Sequence, residues 1–120
     1  MDNRVRFLEH KGRQILLCDF SHCSAGKVPS IVEQIKEEVA QHPPNSVLTL
    51  ADFTGAEIDK PGAIRMKEAL AIDRPYVKRS AWVGTESLPK VFYENFKHFS
   101  RREFPIFPTR EEAMEWLVSS

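Results

Sequence analysis

Residues that could bind a ligand follow two apolar runs of the sequence. Leu17-Cys18-Asp19-Phe20-Ser21 and Leu50-Ala51-Asp52-Phe53-Thr54 both leave such a run through the pattern Asp-Phe-Ser/Thr. If the two runs are parallel neighbours in a sheet, Asp19 and Asp52 lie at the same rim, which is where open α/β sheets bind ligands. We call the expected site the recognition edge and define it as Asp19, Ser21, Asp52, Thr54, Gly55, Asp59, Lys60, Gly62, Gly84 and Thr85.

The composition of the recognition edge suits an anion or a binding partner. Glycine loops let a ligand approach the backbone, and a helix N-terminus capped by Asp59 offers unpaired N–H groups to an anion. Lys60 strengthens that attraction, whereas Asp52, Glu57 and Asp59 oppose it unless a cation or a basic partner intervenes. The alternative is structural: Asp19 and Asp52 form Asx turns, and Asp59 only caps the helix.

Catalytic chemistry has weak support in the sequence. An enzyme acting through Asp19 and Asp52 would need the two carboxylates close enough to split their pKa values. His22 and Cys23 would form a thiol–imidazole pair only if a special turn made their side chains converge. The histidines have no metal-ligand spacing, and no phosphate-loop, dinucleotide or nucleophile-elbow motif is present. We therefore expect a protein that is not an enzyme and needs no cofactor.

A second candidate surface is the basic segment 74–102, in which Lys and Arg outnumber Asp and Glu. Basic and aromatic residues interleave there, which suits an anionic lipid surface, an acidic partner or single-stranded nucleic acid. The alternative is that the aromatic residues pack on the sheet and the cations form a solvated face. A carrier of lipids or apolar molecules would need a cavity of at least roughly 300 Å³, lined by Phe92, Phe96, Phe99 and Trp82.

Length and charge restrict the class of protein. A single domain over residues 1–120 is expected at this length. The 17 basic and 17 acidic residues cancel, so we expect no specific nucleic-acid binding. No stretch approaches the ~20 apolar residues of a transmembrane segment, and we expect a cytoplasmic protein. In that reducing compartment Cys18 and Cys23 are free thiols.

The predicted elements place the recognition edge at one end of a sheet. Val5–His10 and Gln14–Phe20 flank Lys11-Gly12, a turn typical of a β-hairpin. Apolar spacing, caps and prolines predict the remaining elements: a helix over 28–41, a strand from Val47, a helix from Asp59 that stops at Asp73-Arg74-Pro75, a strand over 76–83, a helix marked by Leu88, Phe92, Phe96 and Phe99, an edge strand over 104–107, and a helix capped by Thr109.

The order β-β-α-β-α-β-α-β-α predicts an α/β fold with a single mixed sheet of about five strands and four helices. The hairpin makes one edge of that sheet, and the strand containing Pro105 makes another. Unpaired edges invite pairing between chains. Phe7 and the segment Phe104 to Phe107 are therefore candidates for a homodimer contact.

This element order resembles the STAS domain, the family named for sulphate transporters and anti-sigma-factor antagonists. The likeness includes Arg4-Val5-Arg6-Phe7, Leu48-Thr49-Leu50-Ala51-Asp52, Pro75-Tyr76-Val77-Lys78 and Thr109-Arg110-Glu111-Glu112-Ala113, and is nearest to the small relatives of the stage-II sporulation anti-sigma antagonist. It implies a non-catalytic regulatory module whose partner is a protein or a small ligand such as a nucleotide or a lipid. The family's phosphorylatable serine lies in an Asp-Ser-Ser-Gly motif, which here matches Asp59-Lys60-Pro61-Gly62, so both serines are replaced.

Overall fold

A computed structural model describes residues 3–119 of the chain. Its elements follow the predicted order, with a single 3₁₀ turn before the first helix and another before the third. The strands and helices are β1 (Val5–His10), β2 (Arg13–Asp19), α1 (Val28–Val39), β3 (Val47–Asp52), α2 (Lys60–Asp73), β4 (Val77–Val83), α3 (Lys90–Ser100), β5 (Ile106–Phe107) and α4 (Arg110–Leu117).

The five strands form one mixed sheet in the order β1-β2-β3-β4-β5. β1 is antiparallel to β2 across the turn at Lys11 and Gly12, both of which have positive φ. The other neighbouring pairs are parallel, so the carboxyl ends of β2, β3 and β4 meet at one edge. Asp19 lies directly opposite Asp52 in that register. The prediction that the two aspartates share a rim is confirmed.

Helices cover both faces of the sheet. Leu16 and Cys18 of β2 belong to the apolar cluster formed with α1, α2 and α3. Ile15 and Leu17 point to the opposite face, where Ala113 and Leu117 of α4 are fully buried. This arrangement explains why β2 reads as a continuous apolar run, because both of its faces are packed.

The ends of the helices follow local sequence signals. Pro29 lies in the first turn of α1, where its missing N–H costs little. Asp59 caps α2 by accepting a hydrogen bond from the backbone N–H of Gly62, and α2 stops two residues before Pro75. Thr109 caps α4 through a hydrogen bond from the N–H of Glu112. The two caps and the stop at Pro75 were predicted from the sequence.

The predicted stripe of the third helix is wrong at its two ends. Leu88 is buried but precedes α3, which begins at Lys90. Phe92 and Phe96 do face inward, whereas Phe99 is 49 % exposed and Ser100 is buried in its place. Helical periodicity explains the difference, because a residue four positions after Phe96 returns to the same face more directly than one three positions after it.

The aromatic residues expected at a homodimer contact are engaged within the chain. Phe7 packs edge-on against the ring of His42 at a centroid distance of 5.2 Å. Phe104 is 1 % exposed and stacks on Trp82. Within β5, Ile106 is exposed. The surface offered for pairing is therefore smaller than the sequence suggested.

Candidate functional site

Two matching turns build the recognition edge. The carboxylate oxygen Oδ1 of Asp19 accepts hydrogen bonds from the N–H and the hydroxyl of Ser21, at 2.9 and 2.5 Å. Asp52 Oδ1 accepts the same pair of bonds from Thr54, at 2.9 and 2.7 Å. Both are Asx turns, so the structural alternative that the sequence left open is realised for these two aspartates. The repeated Asp-Phe-Ser/Thr pattern is one local structure used twice.

Arg110 joins the two turns and was missed by the sequence analysis. Its Nε donates to Asp52 Oδ2 at 2.8 Å, and its Nη2 lies 3.6 Å from Asp19 Oδ1. Arg110 is the first residue of α4 and is 58 positions from Asp52. The only local signal was its place inside the helix-capping sequence, which gives no information about a distant carboxylate. The cation that the clustered carboxylates require is thus supplied by the chain itself.

These contacts keep Asp52 ionised. Burial alone would raise the pKa of the Asp52 carboxyl, but the hydrogen bonds from Thr54 and Arg110 together lower it below its usual value. A general acid or base works best with a pKa near the working pH. Asp52 is instead a carboxylate that is charged at neutral pH, and its contacts stabilise the edge.

The exposed part of the recognition edge lies within the segment 54–61, which follows β3 and includes the first two residues of α2. Gly55 N–H donates to the Ser87 hydroxyl at 2.9 Å, and Glu57 N–H donates to the carbonyl oxygen of Cys23 at 3.0 Å. Thr54, Glu57 and Lys60 are exposed. The backbone of the segment is therefore held at these points, while the side chains of Glu57 and Lys60 face outward.

Glycine is required at one close approach in this edge. Gly84 has a φ of +70°, and a Cβ at this position would lie 2.5 Å from the backbone nitrogen of Thr54. Thr85 follows in the 3₁₀ turn that carries Ser87. The structure thus brings Gly84 against the Asp52–Thr54 turn. Gly62, by contrast, is buried beside Val28 and contributes packing.

His22 and Cys23 do not form a thiol–imidazole pair. His22 has a φ of +54°, and its ring lies over Gly55. The Cys23 side chain is buried, and burial raises the pKa of its thiol. Cys18 is also buried and free, with its pKa raised to about 12 by burial and by the nearby Asp73. Thiols of this kind are poor nucleophiles.

A buried polar cluster behind α2 was also missed. Asp73 is 4 % exposed, and its Oδ1 has no hydrogen-bond partner among the described residues. Burial raises its pKa to about 6, against the attraction of Arg102. Arg102 donates to the carbonyl oxygen of Leu70 at 3.1 Å and to the hydroxyl of Ser80, which also hydrogen-bonds Thr49 at 2.7 Å. From the sequence, Asp73 was only the end of a helix.

The aromatic residues around Trp82 fill space and do not line a large pocket. Trp82 packs against Phe104, Phe53 and Tyr93 at centroid distances of 4.5, 4.7 and 5.5 Å. An apolar cavity that includes Trp82 and the buried polar cluster has a volume of about 50 Å³. A carrier lined by Phe92, Phe96, Phe99 and Trp82 needs at least roughly 300 Å³. The exposed position of Phe99 also removes it from that lining.

A metal site and a membrane-spanning helix are not found in the part of the chain that the structure describes. No group of three His, Cys, Asp or Glu residues within 3–119 is arranged to hold a metal ion. None of the helices described is long and apolar enough to cross a membrane.

Comparison with known proteins shows the fold. Searches of protein-family models and of curated proteins give no match. Among solved structures, the chain resembles the crystal structure of an uncharacterized protein of the DUF3478 family with a SpoIIAA-like fold, from Shewanella loihica PV-4. The TM-score is 0.69 at 15 % sequence identity, covering 94 % of this chain and 91 % of the other. The predicted STAS-like fold is therefore confirmed.

Proposed function

From the SpoIIAA-like fold, we propose that the protein is a non-catalytic binding or regulatory module that recognises a protein partner through the recognition edge. One observation carries this proposal: the buried carboxylate of Asp52 is satisfied by the chain, while the segment 54–61 is hydrogen-bonded to the rest of the fold and presents exposed polar side chains. A rigid exposed segment loses little conformational freedom on binding, which favours recognition. The partner reads the outward side chains of Thr54, Glu57 and Lys60.

A protein is a better fit to this edge than a small molecule. Small ligands bind in concave sites that cover most of their surface. Neither the apolar cavity beside Trp82 nor a second, basic concavity at β4 is lined by a residue of the recognition edge. The start of α2 carries Lys60 and Pro61, which have no hydroxyl, so recognition there does not depend on phosphorylation at these two positions.

The proposed location is the cytoplasm. Cys18 and Cys23 are both buried free thiols, which is the usual state of cysteine in a reducing compartment. Partner capture is accordingly tested in the protein's own cells.

The test uses a photoreactive phenylalanine analogue in place of Glu57, followed by irradiation of living cells and mass spectrometry of the adducts. We expect one partner protein to be crosslinked, and Lys60→Glu to reduce the adduct by about tenfold because it reverses a charge in the contact. Lys78→Glu is the matched control, since Lys78 is exposed at the opposite end of the sheet. Circular dichroism checks that both variants are folded.

Two results would contradict the proposal. The first is an adduct whose yield is the same with Lys60→Glu as with the unmodified lysine. The second is the absence of a protein adduct together with a small-molecule adduct in native mass spectrometry of the purified protein, which would replace the protein partner by a ligand.

A further inference from the structure

A concave, positively charged surface lies at the outer edge of β4, away from the recognition edge. Its volume is about 340 Å³, within the range of small-molecule sites. We call it the basic groove and define it by its lining residues: Arg74, Val77, Lys78, Arg79, Ser80, Arg102, Glu103, Pro105 and Trp116.

The groove exists because β5 is short. β4 pairs with β5 only through Trp82 and Val83, so no described strand covers the outer edge of β4 from Val77 to Ala81. Pro105 precedes β5 and has no N–H with which to extend the pairing; its carbonyl oxygen accepts the last bond, from Trp82. The chain therefore leaves a space beside the first half of β4.

Four cationic side chains line this space, and Glu103 supplies the one carboxylate among the lining residues. Arg74 and Lys78 are exposed. Concentrating like charges around a concave surface raises the local potential and works against the compact fold. An anion bound in the groove would relieve that repulsion.

Two of the cations are held in place by the fold. Arg79 donates to the carbonyl oxygen of Trp116 at 2.7 Å, and its guanidinium lies 4.4 Å from the centre of the Trp116 ring. Arg102 donates to Leu70 and to Ser80. These described hydrogen bonds use only one or two of the five N–H donors of each guanidinium. Because both side chains are already held in place, an anion in the groove would not have to order them first.

A protective role for these charges explains only part of the arrangement. Lys and Arg on an edge strand discourage pairing with other chains, which accounts for Lys78. This protective role does not explain Arg102, which lies after α3 and is hydrogen-bonded inside the fold. Nor does it explain a concavity of this size. We propose that the basic groove binds a small molecule carrying a phosphate or pyrophosphate group. Guanidinium groups match phosphate oxygens in geometry and charge.

The test measures binding of inorganic pyrophosphate to the full chain by isothermal titration calorimetry, with the indole N–H of Trp116 followed by NMR. We expect saturable binding that shifts the Trp116 signal and raises the melting temperature. Arg74→Gln with Lys78→Gln should weaken binding by about tenfold, because two charge-assisted contacts are lost. The control, Arg65→Gln with Lys90→Gln, removes the same charge from exposed positions on α2 and α3 that do not line the groove and should change binding by less than about twofold.

Equal weakening in the two double variants would overturn the proposal, since binding would then follow total charge and not the groove. Absence of saturable pyrophosphate binding would also overturn it. So would a Trp116 signal that responds only to an extended acidic peptide, which would assign the open edge of β4 to strand addition. Neither Arg74 nor Lys78 belongs to the recognition edge, so failure here is separate from failure of the proposed recognition edge.

Discussion

The Arg110 Nε lies 2.8 Å from the Asp52 Oδ2, which joins the end of the central strand to the start of the last helix. The Asp52 side chain is 8 % exposed and that of Arg110 is 32 % exposed. The contact is therefore shielded on the carboxylate side and hydrated on the other. Its geometry suggests a role in stabilising the edge, which can be measured apart from any binding.

Breaking this pair should lower stability. We expect Asp52→Asn and Arg110→Gln each to reduce the free energy of unfolding by about 2 kcal/mol at pH 7, because hydrogen bonds to charged groups contribute about that much. The double variant should lose less than the sum of the two single losses. Urea titrations of the four proteins measure these values, and strict additivity would show that the two residues do not interact.

The same pair should weaken in acid. The pKa of Asp52 is lowered in the folded protein, so its contribution to stability is present above the pKa of the unfolded chain and is lost as the pH falls through the folded value. The difference between wild type and Asp52→Asn should therefore shrink at low pH. A difference that stays constant down to the acid transition would argue against the lowered pKa.

Asp73 should have the opposite pH dependence. Burial raises its pKa from 3.8 to about 6, so the folded protein binds the proton of Asp73 more tightly than the unfolded chain does. Protonation therefore stabilises the fold below about pH 4, and this stabilisation is lost as the pH rises to about 6. We expect Asp73→Asn to increase the free energy of unfolding more at pH 7 than at pH 4, by up to roughly 3 kcal/mol. Glu68→Gln, an exposed change on the same helix, is the control. Equal effects of Asp73→Asn at both pH values would refute this prediction.

Two glycines of similar φ should tolerate alanine differently. Gly12 has a φ of +79° and open space where an alanine methyl would lie, whereas at Gly84 the methyl would contact the backbone of Thr54. We expect Gly12→Ala to cost about 1 kcal/mol from backbone strain and Gly84→Ala to cost about 3 kcal/mol, because the turn must also move. Thermal unfolding measures the loss of stability in both variants. Equal losses would mean that the backbone of Thr54 does not lie against Gly84.

The orientation of α3 is tested by two phenylalanines. Phe96 is 1 % exposed, whereas Phe99 is 49 % exposed beneath the ammonium group of Lys67. Phe96→Ala should cost about 3 to 4 kcal/mol of stability, and Phe99→Ala about 1 kcal/mol or less. Chemical denaturation measures both. A larger loss at Phe99 would mean that the helix is rotated relative to the sheet.

Much of the fold follows from local signals in the chain. The hairpin turn at Lys11 and Gly12, the cap at Asp59 and the stop at Pro75 each depend on the conformational preferences of a few adjacent residues. The shared rim of Asp19 and Asp52 also follows from local information, because a repeated pattern at the ends of two parallel strands must meet at one edge. These features can be predicted without knowledge of any tertiary contact.

The contacts that determine the site's electrostatics could not be predicted in this way. Arg110 reaches Asp52 across 58 positions, and Asp73 is buried because Arg102 and the sheet enclose it. No local pattern distinguishes Arg110 from a solvated helix residue, or Asp73 from an exposed helix end. For Phe99, a step of three residues from Phe96 leads to the border of the apolar stripe, and only packing against the sheet decides whether its ring is covered.

The position of Arg110 in the chain also has a consequence for biosynthesis. The ribosome delivers α4 after every strand of the sheet, so Arg110 emerges after both of the carboxylates that it contacts. The sheet face containing Leu17 and Leu50 also lacks a cover until α4 emerges, because residues of α4 pack on it in the complete fold. Exposed apolar surface of this kind is what chaperones bind. The contacts of Arg110 with Asp19 and Asp52 can therefore form only after α4 has left the exit tunnel.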